Sequence, residues 1–412
     1  MLRVLEHISI SQELSLLAAC DLADDGALAA KIDAAVRSNF DWDRFADLAC
    51  QHAMAGLVAD RMGRLAQHAV PLAIARSLGG YLQTGAVLQL SQTATSVGLT
   101  RALEQAGVRS IVLKGMALAH MLYPGTPHWR VSTDIDLLIA SEDLAAADRV
   151  LREAGFDRRW PSADPPERGR DMFLLLANVY DYVHPRSGEL IELHHRITLN
   201  PHWTAAGFDE LYRTSAVIAT AQGPIRGLDG AQLVSYLCWH AFAHAGFRVK
   251  WFCDIVRALR RTGARTGAEL CPAEAGFPQR HIELADVLVA AILAQGLDEH
   301  AAGPGPAAAA RWRHQVQRII ADMEAPHDLP TTRSLALLPG EVAFRLFLAR
   351  LSPGAKGKAY ELLRATSDPR DVSLLRLGAR FAPLYVLVGP VLAIRRYVLA
   401  LAGREDALPH LH

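Results

Sequence analysis

The sequence predicts an α+β protein in which a small α/β core, a short mixed sheet with its helices, is embedded between helical N- and C-terminal regions. Three observations lead there. Apolar residues recur at three- and four-residue steps through the first hundred positions, the pattern of helices that bury one face. Beyond them the period gives way to short β-branched runs, and from about Pro201 onward the helical period returns. At 412 residues the chain is longer than one hydrophobic core ordinarily serves. It divides on this reading into a helical region (1–104), the α/β core (105–205), a helical region packing on the core's cleft (206–300) and a C-terminal helical region (301–412).

The elements follow in order. SQELSLLAACDL, DGALAAKIDAAVRSNF and DWDRFADLACQHAMAGLVADRMGRLAQ supply the first helices, and a long one is expected from Ile74 to Ala106, stopped by Gly107. VRSIVL reads as a strand ended by Lys114-Gly115, MALAHMLY as a two-turn helix, PGTPHW as a loop and STDIDLLIA as a second strand. Ser141 stands where it would cap the helix EDLAAADRVLREA, which Gly155 ends. A strand near FLLLANVYDYVH and another at ELIELHHRI flank Pro185-Arg186-Ser187-Gly188, a hairpin signal. AAGPGPAAAA, residues 301–310, marks a break in the helical tail.

Composition narrows the classes. Lys plus Arg and Asp plus Glu number 43 each, so there is no bulk electrostatic reason to bind nucleic acid, and no basic-aromatic tract resembles a nucleic-acid groove. The five cysteines (Cys20, Cys50, Cys238, Cys253, Cys271) include no C-x-x-C pair, as in a reduced cytoplasmic protein. Glu6 and Glu13 interrupt the apolar stretch a secretion signal needs. The strongest apolar run, Phe381 to Ile394, is too short to span a bilayer and contains Pro383, Gly389 and Pro390. Core packing is the favoured reading of it. Peripheral membrane contact through 381–396, where Arg395 and Arg396 follow the run, is the other.

One charged pair is hard to excuse. Side chains two apart on a strand share a face, so Asp134 and Asp136 of Asp134-Ile135-Asp136 point the same way while Ile135, Leu137 and Ile139 point to the other. Two carboxylates entering apolar surroundings together repel each other and resist desolvation unless a cation lies between them. Oxygen-only ligation suits magnesium, which takes further ligands from water and phosphate. Solvation at a strand edge is the plain alternative. Asp41-Trp42-Asp43 has the same spacing, but it precedes an amphipathic helix, where Asp41 reads as an N-cap and Asp43 as a dipole partner.

Company distinguishes the second pair. Lys114-Gly115 ends the preceding strand and opens a helix, a place where glycine allows close backbone approach and the amides favour phosphate. Lys114 adds a point charge, Arg130 a possible bidentate grip on the same anion, and Ser132 or Thr133 a hydroxyl. Glu192, a carboxylate between apolar neighbours in Leu190-Ile191-Glu192-Leu193, is a natural third metal ligand.

Strand-Lys-Gly-helix, then D-h-D, then a strand bearing h-E-h: this order resembles the nucleotidyltransferase superfamily with the polymerase-β-like core. More narrowly, LKGMALAHMLY, RVSTDIDLLI, the helix ending REAGF, and IELHHRI resemble the uncharacterised bacterial nucleotidyltransferase family often labelled type 5. The likeness covers most of residues 35 to 260. Met116 stands where the superfamily usually has serine after the glycine, and the Gly115-to-Asp134 spacing is longer than usual.

The resemblance implies in-line attack of an acceptor on the α-phosphorus of an NTP donor. Asp134, Asp136 and Glu192 would hold two Mg2+ ions, with Mn2+ a substitute, and Lys114, Gly115, Arg130 and Ser132 would face the triphosphate. It also places the helix of His240 and His244 against the cleft, making His194, His240, His244, Arg248 and Asp254 substrate-side candidates. By themselves His240 and His244 form H-x-x-x-H without the glutamate of a zinc-protease helix, and satisfied interior histidines are the favoured reading. His184, His195 and Asp181 read as surface or structural residues. The acceptor would be a small molecule, peptide or protein, with natural-product tailoring one setting. A related transferase using a sugar nucleotide on a phosphorylated peptide, and a catalytically silent, antitoxin-like module, are the alternatives.

Overall fold

The computed structural model describes residues 8–65, 70–204, 206–295, 297, 305–325 and 337–401. Four helices open it: α1 (Gln12–Leu22), α2 (Asp25–Val36), α3 (Trp42–Gln51) and α4 (Ala55–Leu65). Ser11, Asp24 and Asp41 accept from the third amide beyond them at the starts of α1 to α3, closing backbone donors that each first turn leaves open. Asp41 and Asp43 therefore stand as cap and first-turn acid. The long helix α5 runs Leu72–Gln105 and stops before Gly107, whose φ of +78° suits glycine.

A seven-stranded mixed sheet follows, ordered β3-β4-β5-β2-β1-β7-β6. Its strands are β1 (Ser110–Val112), β2 (Asp134–Ile139), β3 (Asp157–Trp160), β4 (Val179–Val183), β5 (Leu190–His194), β6 (Ala216–Ile218) and β7 (Ile225–Gly227). β2 lies at the centre, antiparallel to β1 and parallel to β5. The Pro185–Gly188 turn joins β4 to β5 as an antiparallel hairpin. Between strands lie α6 (Met116–Leu122), α7 (Leu144–Glu153), α8 (Arg170–Leu176) and α9 (Phe208–Thr214).

The sheet is larger than the sequence suggested. β3, β6 and β7 are three or four residues long, too short for a period of two to register, and β7 adds to β1 in parallel. The segment Phe173–Leu176, expected as strand, closes helix α8, and the strand starts at Val179. Ser141 opens a short 3-10 turn rather than capping α7. Its hydroxyl donates 2.7 Å to the His195 carbonyl, a tertiary bond that displaces the local cap.

The described residues that remain are mainly helical: α10 (Gly230–Ala243), α11 (Val249–Thr262), α12 (Gly267–Leu270), α13 (Gln279–Leu293), α14 (Pro306–Glu324), α15 (Leu337–Leu351), α16 (Gly354–Thr366), α17 (Asp371–Leu375) and α18 (Ala382–Leu401). Residues 301–304 of the expected break lie outside the described residues, and residues 306–310 of it are helical, since α14 begins at Pro306. The apolar run at 381–394 continues into α18 in spite of Pro390. Core packing accounts for Tyr385 but not for the run, because Leu384, Leu387, Val391 and Ile394 are exposed. Among the described residues no helix is long and apolar enough to cross a membrane.

Candidate active site

The parallel register of β2 and β5 sets Asp136 opposite Glu192 and Leu138 opposite His194. Directly opposed residues share a face, so Asp134, Asp136, Glu192 and His194 come to one side of the sheet. The other side carries Ile135, Leu137, Ile139, Ile191 and Leu193, all buried. Alternation on two strands and one register thus gather the acidic row.

Asp136 is fully buried. Its Oδ1 lies 3.0 Å from the Lys114 ammonium and 3.2 Å from His194 Nε2. Its Oδ2 is buried with no hydrogen-bond partner. Glu192 Oε2 lies 3.3 Å from His194 Nε2, and one ligand atom from each of Asp136, Glu192 and His194 falls within 4.8 Å of the others. Asp134, partly exposed at the strand mouth, accepts from Ser132 Oγ at 2.9 Å and faces Lys114 at 3.8 Å.

Charge states follow from this crowding. Burial pushes the Asp136 carboxyl up to about 6, Lys114 opposes that, and Asp134 and Glu192 add to it. Burial alone would lower Lys114, but the three carboxylates raise it well above an ordinary lysine. Burial would likewise lower His194, and its bonds to Asp136 and Glu192 outweigh that, raising it to about 9. An orphaned carboxylate oxygen beside a second carboxylate is a donor set that fits a divalent cation, and the His194 nitrogen joins it only on giving up its proton. A carboxylate oxygen buried without any donor is otherwise costly.

Lys114 thus turns back onto the aspartates instead of reaching past its turn. Gly115 has φ +56°, a conformation in which any side chain would be strained, and a Cβ there would touch the Asp134 carbonyl and Ser132 Oγ at 3.4 Å. Ser132 is engaged in orienting Asp134. Arg130, expected as an anion grip, is buried with its Nε and Nη2 bonded to Asp254, at 3.1 and 3.0 Å to Oδ2. Asp254, expected on the substrate side, is fully buried in that pair, with the Tyr123 hydroxyl 3.0 Å from its Oδ1. The two residues found each other because a guanidinium and a carboxylate leave water together more cheaply than apart.

His240 and His244 face each other with ring centroids 4.6 Å apart, and both pack on Trp251 at 5.4 Å. Burial and then Lys114 hold both imidazoles neutral, His244 at about 4. Arg248 stacks over Phe247 and Trp251 at 5.3 and 5.7 Å, and its Nε is buried without a hydrogen-bond partner.

One neighbour escaped the sequence reading, and Asp181, read there as surface or structural, stands beside the site. Tyr236 is buried and stacked on His240 at 6.0 Å; burial pushes its hydroxyl up, Lys114 opposes that, and the three carboxylates add to it. Its four-residue step before His240 was the available signal. Asp181 lies opposite Glu192 in the β4–β5 ladder and extends the acidic row.

No curated protein and no solved structure matches the chain. A family model described as uncharacterised nucleotidyltransferase matches residues 38–273, more than half of the chain and the whole of the sheet and site just described. The chain therefore belongs to this family of uncharacterised nucleotidyltransferases.

Proposed function

We propose that the chain is a metal-dependent nucleotidyltransferase that moves a nucleotidyl group from an NTP to a hydroxyl or phosphate of a small molecule, peptide or protein. Natural-product tailoring is one setting that suits such an acceptor, and the reduced cysteines suit the cytoplasm. The observation that carries the reading is the buried Asp136 with an unpartnered Oδ2 beside Glu192.

Asp134, Asp136 and Glu192 would hold the metal, magnesium by the hardness of their oxygens. When bound, it would supply Lewis acidity toward the phosphates and the acceptor. The chain's own groups do the rest. Ser132 fixes the Asp134 carboxylate, and His194 ties Asp136 to Glu192. Gly115 keeps the turn before α6 bare, so phosphate oxygens reach its backbone. Glu192 takes the acceptor's proton as the acceptor oxygen bonds to the α-phosphorus. The bond to the β-phosphate oxygen breaks, and pyrophosphate leaves with that electron pair. His240 and His244 offer neutral imidazole donors at the cleft, and Arg248 offers a guanidinium whose Nε has no hydrogen-bond partner to an anionic group of donor or acceptor.

Calorimetric titration of each NTP, with and without Mg2+, into the wild type and Asp136→Asn tests this. Magnesium-dependent binding of at least one NTP, lost in the variant, is the expected result. Absence of binding to the wild type with any divalent ion would overturn the reading in favour of a silent scaffold or a sugar-nucleotide donor.

A further inference from the structure

The family resemblance leads to an expectation of two ions, whereas three of the four oxygens of the aspartate pair already face a partner within the chain. Asp134 Oδ1 accepts from Ser132, and Asp134 Oδ2 faces the Lys114 ammonium. Asp136 Oδ1 faces both Lys114 and His194 Nε2. That leaves Asp136 Oδ2 as the buried aspartate oxygen of the pair with nothing on it. The ammonium lies 3.0 Å from one carboxylate of the D-x-D pair and 3.8 Å from the other. A cation shared by the two aspartates would occupy that same position.

Resting on the metal reading above, we propose that the Lys114 ammonium is a built-in cation that takes the place of one divalent ion, so that the site binds a single ion, on the Asp136 Oδ2 side with Glu192. Burial agrees with position. The Lys114 side chain is only 13% exposed, and withdrawing it would leave the buried Asp136 with His194 as its remaining partner against two neighbouring carboxylates. A lysine in this role carries one charge where an ion carries two, and it offers no open coordination position. It can hold the aspartates apart and steady a phosphate oxygen, but it cannot activate the acceptor. Lewis acidity toward the acceptor would therefore be supplied by a single ion held by Asp136 and Glu192. The position of Lys114 at the end of β1, immediately before the Gly115 turn, is what lets an ammonium reach back over the mouth of β2.

The test is an ion count on the full chain. Mn2+ is titrated in, and free Mn2+ is followed by its electron paramagnetic resonance signal, first alone and then with α,β-methylene analogues of each NTP. One bound Mn2+ per wild-type chain under both conditions is expected, with a second appearing in Lys114→Met when the analogue is present. Two ions on the wild type would overturn the proposal, since the lysine would then be a placeholder that moves aside. An unchanged single ion in a folded Lys114→Met would overturn it too. The wild-type count decides even where the variant does not fold. A wild type that binds no Mn2+ and no analogue removes the metal reading itself, an outcome distinct from a count of two.

Discussion

Asp136 and Asp254 are both fully buried aspartates paired to a cationic side chain, yet they are built to opposite ends. Asp254 is closed. Arg130 donates to both of its oxygens through Nε and to Oδ2 again through Nη2, and the Tyr123 hydroxyl reaches Oδ1. Asp136 has two partners crowded on one oxygen and none on the other. A structural carboxylate spends its lone pairs inside the protein, whereas one meant for a ligand keeps some in reserve. The closed pair also ties the loop before β2 to α11, and Tyr123 is equally 3.0 Å from Asp21 of α1. One pair holds elements together, and the other is held open by them.

Breaking the closed pair should have the largest effect. Asp254→Ala leaves Arg130 buried without its partner, a loss of about 3–5 kcal/mol. Denaturant unfolding would measure it, and a loss below about 1 kcal/mol would mean that Arg130 finds water or another acceptor. The hydrophobic replacement of both partners, Arg130→Met with Asp254→Leu, should recover most of the loss, because a buried pair contributes little beyond an apolar pair of similar size.

Acid comes next. His244 is neutral in the folded chain at about 4, while the unfolded chain titrates near the ordinary 6.5. Between those values the unfolded state binds the extra proton. Stability from this group is thus fully present above pH 6.5 and is lost as pH falls to 4, by about 3 kcal/mol at most. Thermal midpoints from pH 7 to 4 should show the decline, and His244→Gln should flatten it. An equal slope in the variant would assign the decline to other groups. His195, lowered to about 3 by burial, is the first to consider.

Opening the comparison from the other side, Asp136→Asn should weaken metal-dependent nucleotide binding at least 100-fold, about 2.7 kcal/mol, while changing unfolding stability by under about 1 kcal/mol. The like-charge repulsion that leaves with the carboxylate offsets part of the lost bond to Lys114. A variant that loses stability as Asp254→Ala does would show that Asp136 is a structural carboxylate after all.

How much of this was legible in the chain depends on range. The D-x-D pair, the Lys-Gly turn and Glu192 are local patterns on strands whose alternation alone fixes the face, so the acidic row could be read from spacing. The ladder that sets Asp136 opposite Glu192 is a tertiary register, and it decides that His194 joins the row. Arg130 and Asp254 are 124 residues apart, and no local rule tells a cation near a phosphate site that its partner lies on a distant helix. The same limit hid β6 and β7, whose three residues acquire meaning only when β7 adds to β1. The exposed seam of α18 was misread for a related reason, since an apolar run says how much surface wants covering and not what covers it.

The smallest effect belongs to the sequence's other D-x-D. Asp41 and Asp43 are exposed, and the Asp41 carboxylate accepts from the Arg44 amide at 2.9 Å. Asp41→Ala removes that cap and should cost about 1 kcal/mol, with metal and nucleotide binding unchanged. Paired with Asp136→Asn it forms a crossed design: one substitution lowers stability and spares binding, the other spares stability and abolishes binding. Calorimetry and unfolding on both variants read all four quantities. Two pairs with identical spacing would then separate by environment alone, a solvated helix start against a strand entering an apolar wall. Loss of metal binding in Asp41→Ala would break that separation and move the search for the ion to the helical flank.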